Sequence, residues 1–239
     1  MADTRAVRPA LSEVAKAVVV GDAGVGKSAL IDALLGRPFS AKQVPTIAVN
    51  YEQLPLSRTT ALALWDTAGQ ERFRALLPSF FRNADVCLLV YAQSSPESFD
   101  GVRARWEGYV RAHASEDVVF VLVSARADET CAVFPGNGRH LAAELDAQLC
   151  ETSSKTGDGV DELREHLVVL AQAASARRLR ALDAARAAER AQRAAHEYMF
   201  ERGVLHAGVE DDEARRGVLR VGVGDDDARR DATRARCKC

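Results

Sequence analysis

The chain has 239 residues, 47% of them hydrophobic, and a formal net charge of −2, which is enough for one full α/β domain plus a substantial extra segment. No run approaches the roughly 18 apolar residues of a membrane-spanning helix, and the opening MADTRAVRPALSEV has no apolar block of signal-peptide length, so a cytosolic protein is expected. Five cysteines without paired spacing describe no disulfide framework, and the near balance of charge argues neither for nor against an acidic partner.

Residues 1–13 read as a disordered N-terminus, and strand-like and helix-like segments alternate from there to about residue 171. Val14–Val20, Ala61–Trp65, Val86–Tyr91, Val118–Val123 and Gln148–Glu151 are short apolar runs. Most are nearly continuous, as expected of strands covered on both faces. Helical patterns occupy Lys27–Leu35, Glu97–His113, Arg139–Ala147 and Val160–Ala173. This alternation predicts βαβ units and a mainly parallel sheet. Ile47–Leu56 alternates less cleanly and contains Pro55, which places it at an edge as the one antiparallel strand. Cys87 and Cys150 fall inside strands and read as core thiols. From Ala171 to Phe200 there are twelve Ala and six Arg against three acidic residues. That composition favours a solvated helical extension, over 172–200, because no wide apolar stripe or sustained heptad accompanies it. Over 201–239 Gly, Asp and Arg dominate, and Asp-Asp-Glu-Ala-Arg-Arg at 211–216 recurs as Asp-Asp-Asp-Ala-Arg-Arg at 225–230, a low-complexity tail expected to be disordered.

The chemistry begins directly after the first strand. Gly21-Asp22-Ala23-Gly24-Val25-Gly26-Lys27-Ser28 fits G-x-x-x-x-G-K-[ST] at every required position, between a strand and a helix. Glycines let successive backbone N–H groups wrap phosphates, and the following helix N-terminus adds a partial positive charge. Lys27 is expected to neutralise the β- and γ-phosphates and Ser28 to ligate Mg²⁺. The motif specifies a nucleoside triphosphate site without specifying the base. Lys27 and Lys155, two of only five lysines, stand out.

Trp65-Asp66-Thr67-Ala68-Gly69-Gln70-Glu71 closes a strand with an acid and enters a glycine turn. Asp66 is placed to hold the Mg²⁺ shell through water. Gly69 can bring its N–H close to a γ-phosphate, and Gln70 is then the residue expected to orient an attacking water.

WDTAGQERFR at 65–74 and SFFRNADVCLLVY at 79–91 resemble the Rab family of small GTPases, and the resemblance covers about residues 14–171. It implies a P-loop α/β G domain with a six-stranded mainly parallel sheet, helices on both faces, and bound GTP or GDP. It further implies that Thr46, in Pro45-Thr46-Ile47-Ala48, closes on Mg²⁺ and the γ-phosphate, with Ala48 where the family has Gly. Phe39 matches the aromatic that packs edge-on against guanine. Glu151-Thr152-Ser153-Ser154-Lys155 resembles the Glu-Thr-Ser-Ala-Lys loop, whose backbone reads the guanine O6, and Ser154 retains that backbone donor.

The fourth guanine motif departs from the family pattern Asn-Lys-x-Asp, reading Ala125-Arg126-Ala127-Asp128. Asp128 keeps the carboxylate that accepts two hydrogen bonds from guanine and excludes adenine. Ala125 cannot supply the Asn that ties base to P-loop, and the stem of Arg126 replaces that of Lys over the base.

Cys237-Lys238-Cys239 resembles the Cys-x-Cys ending of many Rab proteins, which carries two geranylgeranyl chains; two chains anchor stably where one does not. The five histidines have no metal-ligand spacing, and the Arg-rich helix lacks an aromatic platform, so no metal beyond Mg²⁺ and no nucleic acid is expected. The resemblance implies a GTP-hydrolysing switch of vesicle traffic served by an exchange factor, a GTPase-activating protein, a GDI-type prenyl-Rab chaperone and effectors. It would act at the cytoplasmic face of an endomembrane and cycle with the cytosol. Ser95-Pro96-Glu97-Ser98-Phe99 and the Cys-x-Cys ending lean toward the late-endosomal branch. The alternatives are a weakly binding scaffold of the same fold, favoured by Ala125-Arg126, and a P-loop kinase, which would need an acceptor lid the sequence does not contain.

Overall fold

The computed structural model describes residues 13–42, 45–46, 49–67 and 78–201. Strand β1 (Glu13–Val20) leads through the glycine-rich turn into helix α1 (Lys27–Leu34). Then come β2 (Val49–Pro55), β3 (Thr60–Thr67), a short α2 (Pro78–Phe81) and β4 (Val86–Ala92). A helical stretch follows: α3 (Pro96–Gly101), a π-helical segment (Val102–Glu107) and α4 (Gly108–His113). Last are β5 (Val119–Ala125), α5 (Pro135–Leu145), β6 (Gln148–Thr152) and α6 (Val160–Glu201).

The six strands form one sheet in the order β2-β3-β1-β4-β5-β6. All neighbours are parallel except β2 and β3, which are antiparallel. The single antiparallel strand is therefore β2, at the edge where Pro55 does not interrupt a ladder on both sides. Every residue of β4 is buried, which is why its sequence is continuously apolar rather than alternating. In β1, Ala15, Ala17 and Val19 join the core under α1 and α6, whereas Val18 and Val20 join the core that contains Trp106 and Phe120. Helices thus cover both faces of the sheet.

β1 lies between β3 on one side and β4 on the other, so successive connections leave it in opposite directions. A crevice at the carboxyl ends of the strands is expected at such a switch point, and the loop Gly21–Gly26 occupies that position.

Helices α5 and α2 differ from the sequence expectation, whereas α6 continues through the Ala-rich stretch as expected. Helix α5 starts at Pro135, four positions before Arg139, because proline suits a helix's first position, where its missing N–H has no intrahelical partner. α2 has no amphipathic repeat in its four residues and was not expected. α6 runs from Val160 through the Ala-rich stretch to Glu201 without a break. Leu163, Leu167, Ala171, Ala174 and Ser175 of α6 are buried, and Arg164 donates to the carbonyls of Leu34 (3.0 Å) and Pro55 (3.2 Å). Arg178 donates to the Val14 carbonyl at 2.7 Å and pairs with Asp85. The described residues divide into two units between Ala185 and Arg186; in the second, residues 186–199 are helical and exposed.

Cys87 and Cys150 are buried free thiols. Burial pushes the Cys150 thiol up to about 11 and Cys87 higher still, so both remain protonated at neutral pH. No described helix is long and apolar enough to cross a membrane.

Candidate functional site

The P-loop is shaped by its backbone. Gly21 has φ 151°, and a Cβ there would collide with the main-chain oxygen of Val90 on β4, so only glycine lets the loop leave β1 against its neighbour. Helix α1 then begins at a Gly26 N-cap with no side-chain cap and no acidic residue in its first turn. Its first N–H groups are left for an anionic ligand.

Lys27 is buried, and its Nζ donates to the carbonyls of Gly21 (2.9 Å) and Asp22 (2.7 Å). Burial lowers its pKa to about 8, against the opposing pull of Asp66 and Asp22. A cation held by two carbonyls of its own loop can turn to a phosphate with little rearrangement.

Beside it lies a cluster of three oxygen-bearing side chains. Ser28 Oγ donates to Asp66 Oδ2 at 2.6 Å, Thr46 Oγ1 donates to the same oxygen at 3.0 Å, and the two hydroxyls are 3.0 Å apart. The other oxygen, Asp66 Oδ1, is buried and has no hydrogen-bond partner among the described residues. Burial raises the Asp66 carboxyl above the ordinary carboxylate range, with Ser28, Lys27 and Thr46 opposing that shift. A buried orphan carboxylate oxygen among two hydroxyls is costly in a dry protein. It suits a hard cation that takes oxygen ligands and retains water, as Mg²⁺ does. A cleft of about 410 Å³ opens beside this cluster between α1 and β2.

The base side is built at the ends of β5 and β6. Asp128 Oδ1 accepts from Ser153 Oγ at 2.6 Å, and Lys155 Nζ lies 3.4 Å from Oδ2. The Ser153 hydrogen bond, with lesser help from Lys155, holds the Asp128 carboxyl below the usual range against the opposing effect of burial. The loop is tied to β6 by the Ala127 N–H donating to Thr152 O at 2.9 Å. Arg126 takes a left-handed φ of 62°, and its guanidinium donates to the P-loop carbonyl of Gly24 and to Glu129 (3.2 Å). A tie between base loop and P-loop therefore exists, carried by Arg126 rather than by position 125. Ala125 itself is buried at the end of β5. Phe39, 46% exposed, stands in the segment after α1.

The structure thus brings Lys27, Ser28, Thr46 and Asp66 together, and separately Asp128, Ser153 and Lys155. Ala68, Gly69, Gln70, Ile47 and Ala48 lie outside the described residues, as do Cys237 and Cys239. Sequence reading missed two partners of Asp22 in the P-loop, Arg105 and Trp106. Trp106 donates its indole N–H to Asp22 Oδ1 at 2.9 Å, across a separation no local pattern marks.

The sequence profile of the Ras family matches residues 16–173. GTP-binding protein ypt2 of Schizosaccharomyces pombe is 36% identical over 152 residues, 62% of this chain and 76% of that protein. Ras-related protein SEC4 of Saccharomyces cerevisiae is 33% identical over 163 residues, 66% of this chain and 75% of the relative. Ras-related protein Rab-18 of Lymnaea stagnalis is 37% identical over 157 residues, covering 64% and 78%. With the P-loop at the sheet's switch point and the Asp66 and Asp128 constellations in place, the chain belongs to the Ras family, as a small GTPase of the Rab type.

Proposed function

We propose that this protein is a GTP-hydrolysing switch of vesicle traffic, acting in peripheral association with an endomembrane. The observation that carries the reading is the cluster of Ser28, Thr46 and Asp66 next to Lys27, with Asp66 Oδ1 buried and unpartnered. In this reading Lys27 exchanges its two loop carbonyls for the β- and γ-phosphates. Ser28 and Thr46 would supply oxygen ligands to a divalent cation, and Asp66 would hold its hydration shell. Mg²⁺, when bound, neutralises charge on the phosphate oxygens.

Asp128, fixed by Ser153 and Lys155, accepts from the guanine edge, with the Ser154 backbone as donor and the Phe39 ring and Arg126 stem against the base. Gln70 orients the attacking water, and Gly69 and Thr46 sense the γ-phosphate. Loss of that phosphate releases both loops, and so changes what effectors can bind. Cys237 and Cys239 carry prenyl groups, which bring a GDI-type chaperone into the cycle beside an exchange factor and an activating protein. A late-endosomal address gains nothing from the relatives' names. Ser95 and Pro96 have a local role, since Ser95 caps α3 and Pro96 opens it.

The test is the nucleotide that purified protein retains, followed by single-turnover hydrolysis with and without Mg²⁺. Retained guanine nucleotide, hydrolysed slowly and only with the metal, is the expected result. Bound guanine without turnover would make the chain a scaffold, and phosphate appearing on another molecule would make it a kinase.

A further inference from the structure

Asp22 poses an electrostatic problem for a phosphate site. It is the second residue of the P-loop, its carbonyl already accepts from Lys27 Nζ, and its charge attracts the same ammonium that must meet the phosphates. A free carboxylate there would compete for Lys27 and repel a polyphosphate. The structure turns it away. Asp22 Oδ1 accepts from Trp106 Nε1 at 2.9 Å, and Oδ2 is paired with the guanidinium of Arg105.

The helix is shaped for this contact. Ser95 caps α3 through a 3.3 Å bond from the Ser98 N–H, and the helix then widens into the π segment at Val102. At 3.6 residues per turn an α-helix would carry Trp106, five residues on, well around the axis from Gly101. Bonding from i to i+5 returns it to the same side, so adjacent residues 105 and 106 both reach one carboxylate. Gly101 completes the arrangement. A Cβ at that position would stand 2.7 Å from Asp22 Oδ2 and overlap the Arg105 guanidinium.

We propose that Arg105 is a positioning residue for nucleotide binding, holding the Asp22 carboxylate against the π-helical segment so that Lys27 is left to the phosphates. Arg105 touches no phosphate; it acts through Asp22. The inference rests on the guanine-nucleotide reading of the P-loop.

The test uses the full chain loaded with a fluorescent GDP analogue, whose release is followed by stopped flow. Arg105→Gln should release it about tenfold faster, equivalent to about 1.4 kcal/mol. Arg105→Lys, which keeps the charge, should restore most of the slow release. Asp22→Asn placed in the Arg105→Gln background should also recover it, because the charge that needed holding is gone. A purely structural role for Arg105 predicts no such rescue. Equal release from Arg105→Gln and the native chain overturns the proposal, as does faster release that neither second change corrects. Native protein that binds no guanine nucleotide sinks the reading of the site itself, and the proposal with it.

Discussion

Ala125 and Thr152 are register partners on the parallel strands β5 and β6. The Thr152 hydroxyl beside Ala125 is buried, with no hydrogen-bond partner among the described residues. Both side chains lie on one face, and a Cβ built on Gly26 of the P-loop would stand 4.0 Å from the Ala125 Cβ. An amide at 125 would therefore have a hydroxyl on one side and the P-loop on the other. Arg126 supplies one tie to the loop through Gly24, but nothing replaces the amide. Two neutral hydrogen bonds are worth roughly 1–3 kcal/mol net, or about 5- to 150-fold in affinity. Most of that should appear in the off-rate. Ala125→Asn should slow GDP release by that range, and Arg126→Gln should hasten it. Stopped-flow rates for Ala125→Asn equal to the native rate would mean that Arg126 already does the whole task.

Selection of the base should depend on Asp128. Hydrogen bonds to a charged acceptor contribute about 1.5–3 kcal/mol each, so losing two should cost guanine its preference by roughly 10²- to 10⁴-fold. Asp128→Ala is expected to bind GDP and ADP with similar affinity in competition assays. Ser153→Ala, which removes the 2.6 Å bond orienting the carboxylate, should lose part of that preference. A guanine preference that survives Asp128→Ala would move base reading to the Ser153–Lys155 loop.

Hydrolysis should fail separately from binding. Gln70→Leu removes the group expected to orient water while leaving Lys27, Ser28 and Asp128 intact. Single-turnover GTP hydrolysis should fall, by at least tenfold if positioning by Gln70 contributes about 1.4 kcal/mol, with GTP affinity nearly unchanged. An unaltered rate, with and without an activating protein, removes Gln70 from the mechanism.

The anchor is testable by fractionation. Buried lipid carbon contributes about 0.8 kcal/mol per CH₂, and one chain alone binds marginally. Replacing Cys237 and Cys239 together with Ser should shift the protein from membranes to cytosol, and either single change should weaken retention. Membrane fractionation of the double variant like that of the native protein would exclude a lipid anchor at these cysteines.

What the sequence displays is local, and what it conceals is tertiary. Five strand runs, four of them nearly continuously apolar, with the P-loop spacing and Pro55, sufficed to predict a mainly parallel sheet with β2 at an edge, but not the order of its strands. The same runs placed Lys27, Ser28 and Asp66 at the carboxyl ends of β1 and β3. The π segment was hidden because Val102–Glu107 carries an ordinary helical pattern. The pairing of Asp22 with Arg105 and Trp106 was hidden because it joins residues more than eighty positions apart. The unpartnered Thr152 could not be suspected from its own strand; only the register with Ala125 exposes it. Arg126 was legible as a residue but not as a tie to Gly24, since its left-handed backbone sends the side chain where no propensity rule points.

The pH dependence of nucleotide binding should report Lys27. In the nucleotide-free protein burial lowers its pKa to about 8, whereas an unfolded lysine titrates near 10.4. Between those values the unfolded chain binds more protons than the folded one, so the stability of the free protein should rise with pH across that window. Nucleotide reverses the sign of the effect. Phosphates beside the ammonium favour its charged form and raise its pKa again, so binding must take up a proton wherever the free lysine has lost one. Below pH 8 the group is already charged and affinity should be flat. By pH 9 GDP affinity should have dropped about tenfold, with about half a proton taken up per nucleotide bound at pH 8. Calorimetric titrations in buffers of different ionisation enthalpy measure that uptake directly. Affinity unchanged from pH 7 to 9, with no proton taken up, would mean that Lys27 keeps its charge in the free protein, and that its two loop carbonyls hold it more strongly than burial opposes it.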